Sequence, residues 1–116
     1  MMQFINDSFS PEGWIVTLGP DNETPVKGVW SKPLRTEGPN RSLYLVYFEP
    51  GAMYPLHPHN HPQQLLILDG DAEDEIVDEH GRRSSVGYRK GGFVDYPPIM
   101  QHSTYSRNGC LMVLGT

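Results

Sequence analysis

Three histidines occupy alternate positions at His57, His59 and His61, and two glutamines, Gln63 and Gln64, follow at once. Imidazole offers a nitrogen lone pair near neutral pH and a primary amide offers a carbonyl oxygen, so the segment concentrates donors for a divalent metal. On a strand, side chains at i and i+2 share a face, so His57 and His59 can reach one ion together. An acceptor a few residues later on a neighbouring strand would supply a third donor, and His102, far along the chain, a fourth. Such a set suits Zn, Fe(II), Mn, Ni or Cu(II) with little to separate them. A His-x-His pair alone is weak evidence, because proline-rich loops often expose histidines. His61 reads as a solvent-exposed loop residue, with an alternate ligand or a pocket-rim acid or base as the competing role. His80 lies in an Asp78-Glu79-His80-Gly81 turn and reads as a surface residue.

These donors need strands to hold them, and the sequence is punctuated accordingly. Eleven prolines and twelve glycines among 116 residues leave no room for long helices, and they separate short apolar runs. Leu43–Phe48 and Leu65–Leu68 lack polar alternation and read as strands buried on both faces, the second closed by Asp69-Gly70. Val26–Leu34 reads as a strand confined to a sheet edge by Pro33. Asp78–Gly81 and Asn108-Gly109 carry hairpin-turn composition. About nine or ten short strands with regular turn signals predict an all-β sandwich or barrel in one domain spanning residues 1–116. Residues 1–13 read as an extended N-terminal arm, with Phe4, Ile5 and Phe9 available to lie against the barrel or a partner subunit.

The spacing Gly51, His57-x-His59, Gln63 and Gly70 resembles the first motif of the cupin superfamily, in which Glu normally stands at the position of Gln63. Gly91, Pro97, Ile99, His102 and Ser106 resemble the second motif, in which Gly and Asn stand where this chain has Ile99 and Ser106. A wider resemblance, through Val29–Leu34, Phe48–Ala52, Asp78–Gly81, Tyr96-Pro97-Pro98 and Gly109-Cys110-Leu111, is to ChrR-type cupins. These include the zinc-binding domain of ChrR anti-sigma factors and relatives similar to acetylacetone- and dihydroxyacetophenone-cleaving dioxygenases. The resemblance implies a double-stranded β-helix, or jelly roll, with His57, His59 and His102 as metal ligands and Gln63 as a fourth. Gln64 is the competing assignment if the strand register slips by one.

With Gln63 in place of Glu, a dipositive ion would keep its charge uncompensated by these donors, favouring anionic or enolate-like ligands. The resemblance implies a metal-dependent dioxygenase acting on a small diketone or phenolic ketone. The alternatives are a metal-binding sensor of ChrR type and a sugar-modifying isomerase or lyase. A net charge of −5 argues against nucleic acid and anionic membranes as partners. Much of that charge sits in Glu73, Asp74, Glu75, Asp78 and Glu79, which read as a solvated hairpin. One cysteine, Cys110, permits no intrachain disulfide, and the N-terminus lacks signal-peptide features. The expectation is a cytoplasmic homodimer that binds a small molecule.

Overall fold

The computed structural model describes residues 7–38, 41–58, 62–98 and 100–116. Nine strands follow in order: β1 (Ile15–Leu18), β2 (Pro25–Thr36), β3 (Ser42–Phe48), β4 (Met53–Pro58), β5 (Gln63–Val77), β6 (Arg83–Arg89), β7 (Phe93–Tyr96), β8 (Gln101–Tyr105) and β9 (Cys110–Gly115). Every pairing is antiparallel, in the order β1-β2-β3-β9-β5-β8-β4, with β6 and β7 also on β5. The described chain contains no helix and therefore none that could cross a membrane.

The architecture turns on β5. Its first half, Gln64–Gly70, pairs with β9, and its second, Glu73–Val77, pairs with β8. One long strand thus serves both layers of a jelly roll, and Asp69-Gly70 is a bend within it where a strand end was expected. The register slips between Ile67 and Asp69, and Gly70 takes φ +81. A Cβ on Gly70 would sit 2.0 Å from the Gly109 carbonyl oxygen, so only glycine fits this crossing of two backbones. The bend also reverses the pleat: Gln63, Leu65 and Ile67 face inward before it, and Ala72, Asp74 and Ile76 after it.

Four further expectations need correction. Leu66 is 41% exposed, so Leu65–Leu68 alternates in place of burying both faces, and in β3 Leu43 and Tyr47 are likewise partly exposed. β2 is an interior strand, paired with β1 and β3, but β1 reaches only to Ser31, so Pro33 needs no donor on that side. Asn108-Gly109 joins β8 to β9, which lie in different layers and do not pair, and Asn108 Nδ2 instead donates to Asp71 beside the bend at 2.8 Å. Residues 7–13 turn back onto the outer face of β2, where Ser10 accepts 3.1 Å hydrogen bonds from the Lys32 ammonium, so this part of the arm is not extended. Phe4 and Ile5 lie outside the described residues.

Val29, Val46, Phe48, Ile67, Tyr96 and Met112 form the centre of the core between the layers. Burying a side chain the size of Val29 or Ile67 contributes roughly 1.5–3 kcal/mol. Ser106, fully buried, closes the corner by donating to the Asp71 carbonyl at 2.6 Å and by exchanging backbone hydrogen bonds with Gly51 and Ala52. Cys110 joins this core, where burial, with Asp71 and Asp69 nearby, pushes its thiol up to about 12. It is a small apolar residue of the core and not a nucleophile.

Candidate metal centre

β4 is an end strand of the path, which tolerates Pro55 and Pro58. Its register against β8 shifts between Tyr54 and His57. The shift lets Tyr54 and His57, three positions apart, both turn toward the interior, as bulges do when they re-aim a side chain. His57 and His102 are direct cross-strand partners, so two histidines distant in sequence become neighbours on one face. Their ring centroids lie 4.6 Å apart at 48°. Tyr54 meets His57 edge-on at 4.8 Å, and Tyr96 stacks on His102 at 4.2 Å.

Each ring is held through its Nδ1. His57 Nδ1 lies 2.9 Å from the Pro55 carbonyl, which can only accept, so Nδ1 is protonated and Nε2 keeps its lone pair. Burial pushes His57 below its ordinary 6.5, against the Pro55 hydrogen bond and with the help of the nearby His102, so the ring is neutral at pH 7. His102 is 4% exposed, and its Nδ1 lies 3.4 Å from Thr104 Oγ1 and 3.5 Å from Asp74 Oδ1. Thr104 donates its proton to Asp74 at 2.6 Å, so both oxygens face His102 as acceptors. His102 is thus held through its Nδ1.

Asp74 is the residue the sequence reading missed. It is 1% exposed and accepts hydrogen bonds from Tyr96, Tyr88 and Thr104. Burial opposes its ionisation, but hydrogen bonds from His102, Thr104 and Tyr96 prevail and hold the carboxyl below its ordinary value. Burial together with the Asp74 charge raises both tyrosines. An acidic side chain placed behind the Nδ1 of a histidine is the arrangement that orients metal-binding imidazoles and raises their basicity.

His57, His102 and Gln63 line one cavity of about 510 Å³ between the layers. Gln63 is half-buried and faces inward, whereas Gln64 is exposed, so the expected register of β5 holds at this point. Tyr96 is buried in the core against His102, and Met53 is exposed. His80 is exposed in its turn, near Glu79. His59, His61 and Ile99 lie outside the described residues. Among the described residues no three His, Cys, Asp or Glu side chains converge on one point. The donors that are described, two imidazoles held through Nδ1 and one amide, nevertheless have the chemistry a divalent transition metal takes: His57 and His102 would offer Nε2 and Gln63 its carbonyl oxygen.

With fold and site in view, the sequence profile of the cupin family matches residues 30–116, and the chain belongs to that family. Many cupins bind metals and some are enzymes. The structure is similar to a variant of oxalate decarboxylase from Bacillus subtilis, with TM-score 0.69 and 25% identity over 76% of this chain. It is similar also to oxalate decarboxylase from Lactobacillus farciminis in a formate complex, with TM-score 0.68 and 21% identity over 75% of this chain. This chain covers 25% and 27% of those two chains, about a quarter of their length. A conserved protein of unknown function from Streptococcus pyogenes matches with TM-score 0.65 and 19% identity, over 74% of this chain and 70% of that one. No curated protein sequence matches this chain.

Proposed function

We propose that this chain is a metal-dependent cupin that takes a small, mostly apolar, chelating ligand, and that it acts as a dioxygenase on a diketone or phenolic ketone. The observation that carries this reading is the cavity lining. Val29, Val46, Phe48, Leu65, Met112 and Leu114 give it apolar walls beside His57, His102 and Gln63. No Lys or Arg lines it among the described residues, and the charge behind His102 is the negative one of Asp74. A dianion such as oxalate would have the metal alone to receive both its charges, with no Arg or Lys among the described lining residues to share them, whereas recognition of carboxylates ordinarily uses Arg or Lys. A neutral or singly charged ketone loses far less on entering such walls.

A divalent metal in this site would supply Lewis acidity and, with a redox-active ion, a place for O₂ to react. The chain's own residues do the rest. His57 and His102 present Nε2 while Pro55 and Asp74 fix the rings through Nδ1. Gln63 contributes a neutral oxygen where a Glu would contribute charge, so an enolate-type ligand is the natural source of compensation. The apolar walls exclude water from the bound ketone.

The test is to strip the protein of metal, reload it with Fe(II) and follow O₂ consumption over a panel of β-diketones, phenolic ketones and oxalate. Uptake is expected with one or more ketones and not with oxalate. Stoichiometric metal with no uptake across Fe(II), Mn(II), Ni(II) and Cu(II) would reject the enzyme and favour a metal sensor of ChrR type.

A further inference from the structure

The main strand path has two ends, β1 and β4, and no backbone ladder joins them among the described residues. Both ends nevertheless line the cavity: Thr17 and Leu18 from β1, and Tyr54, His57 and Pro58 from β4. The wall therefore has a seam there that can part without breaking any strand pairing. Pro55 and Pro58 keep it open to parting, because neither offers an N–H with which β4 could extend a ladder.

Tyr54 crosses this seam. Its hydroxyl donates to the Leu18 carbonyl at 2.9 Å, and its ring meets His57 edge-on at 4.8 Å. The hydrogen bond lies at the surface, so water can take the place of either partner when it breaks. The β1 side can move as a unit, because the turn beyond Leu18 is closed by its own bonds. Gly19 N donates to Thr24 O at 2.7 Å and Asn22 N to Gly19 O at 2.9 Å, while Asp21 Oδ1 accepts from Glu23 N and Thr24 N. Parting β1 from β4 thus gives up an exposed hydrogen bond, whereas parting β3 from β9 would break a ladder running from Leu43 to Phe48.

We propose that the seam between β1 and β4 is the entrance to the cavity and that Tyr54 is its latch, a positioning residue that holds His57 while the seam is shut. Because one side chain does both, opening the entrance and releasing the candidate ligand His57 are a single event. The proposal rests on the metal-centre reading, which supplies its probe, and the test separates the two.

Apoprotein is mixed with Co(II) by stopped flow, uptake is followed by the visible absorption of the bound ion, and release is followed by transfer to excess chelator. Tyr54→Phe keeps the ring against His57 and deletes the donor. It is expected to speed uptake and release alike by about two- to tenfold, the effect of one ordinary hydrogen bond on the open population. Its Kd should stay within about twofold of wild type, with an unchanged Co(II) spectrum, because both end states are kept. A residue that merely supported the site would act on release and leave uptake alone. Tyr54→Leu removes the ring as well, and should add a weaker Kd and an altered Co(II) spectrum to the faster uptake. Far-UV circular dichroism checks both folds, and either variant reads the uptake rate should the other not fold. Wild-type uptake in Tyr54→Phe, or faster release with unchanged uptake, overturns the latch alone. An unaltered Co(II) spectrum in Tyr54→Leu overturns the hold on His57. Failure of the wild type to bind Co(II) overturns the metal-centre reading and the latch with it.

Discussion

Asp74→Ala is expected to cost about 3–5 kcal/mol of folding stability, the range seen when one partner of a buried charged network is removed. The carboxylate is the common acceptor for Tyr96, Tyr88 and Thr104, and it stands behind His102 Nδ1. Removing it leaves the hydroxyls of Tyr96 and Thr104 inside the core without that acceptor, at roughly 1–3 kcal/mol each. A domain of ordinary stability has about 5–15 kcal/mol in all, so the variant should unfold at far lower urea than the wild type. Asp74→Asn keeps the shape and one oxygen, and should retain more of the stability. It should still weaken metal binding by about 10–100-fold, as changes behind a ligating imidazole do. The pH profile follows from the direction of the shift. Because the folded carboxyl lies below its ordinary 3.8, its contribution is present above about pH 4 and is lost as pH falls further. Equilibrium urea unfolding at neutral pH decides the matter, and an Asp74→Ala variant within 1 kcal/mol of wild type, on the order of one ordinary hydrogen bond, would contradict this account.

Asp74 stands among acidic neighbours that read as a solvated hairpin, after a strand expected to end at Asp69-Gly70, and strand alternation would not have rescued it. Carrying the period-2 pattern of Leu65 and Ile67 through β5 puts Glu73 and Glu75 inside and Asp74 outside. The bend at Asp69-Gly70 adds a residue and reverses the face, so the structure has the opposite. A reset of phase at Gly70 would have placed Ala72, Asp74 and Ile76 together and flagged a carboxylate on an apolar face. Elsewhere the local signals sufficed. Proline and glycine punctuation predicted about nine or ten short strands, and the described residues form nine, although β2 and β5 run to 12 and 15 residues. Two spaced motifs brought His57 and His102 into one reading although 44 residues separate them. Their cross-strand pairing then puts the two rings in contact. What fails is inference from a turn to its partner strands: Asn108-Gly109 has hairpin composition, but β5 lies between β8 and β9 in the strand order, and each pairs with it. Tertiary topology decides that, and no dipeptide encodes it. The hydrogen bond between the Thr17 and Ser31 hydroxyls was equally invisible, because nothing local says that two hydroxyls on separate strands will meet.

His102→Ala is expected to reduce Zn(II) or Ni(II) affinity by more than about 100-fold, beyond what changes behind a ligand cost. His102 is the donor whose surroundings are most completely built. Tyr96 stacks on one side of the ring and His57 contacts it, while Asp74 and Thr104 accept at Nδ1. That support orients the ring through Nδ1, so that Nε2 is the nitrogen that would ligate a metal. The substitution also empties space in the core, at a cost of about 2–4 kcal/mol in line with large-to-small changes. Affinity is therefore measured by competition with a chromophoric chelator on protein verified as folded. Gln63→Glu is the complementary change in the same titration. A carboxylate facing the cavity restores the charge this site lacks and should tighten binding by about tenfold, since opposite charges at short range outweigh the loss of a neutral amide dipole. Opposite movements in the two variants would place the ion between Gln63 and His102. An unchanged affinity in His102→Ala would remove His102 from the ligand set and leave the cavity a binding site for an organic ligand alone.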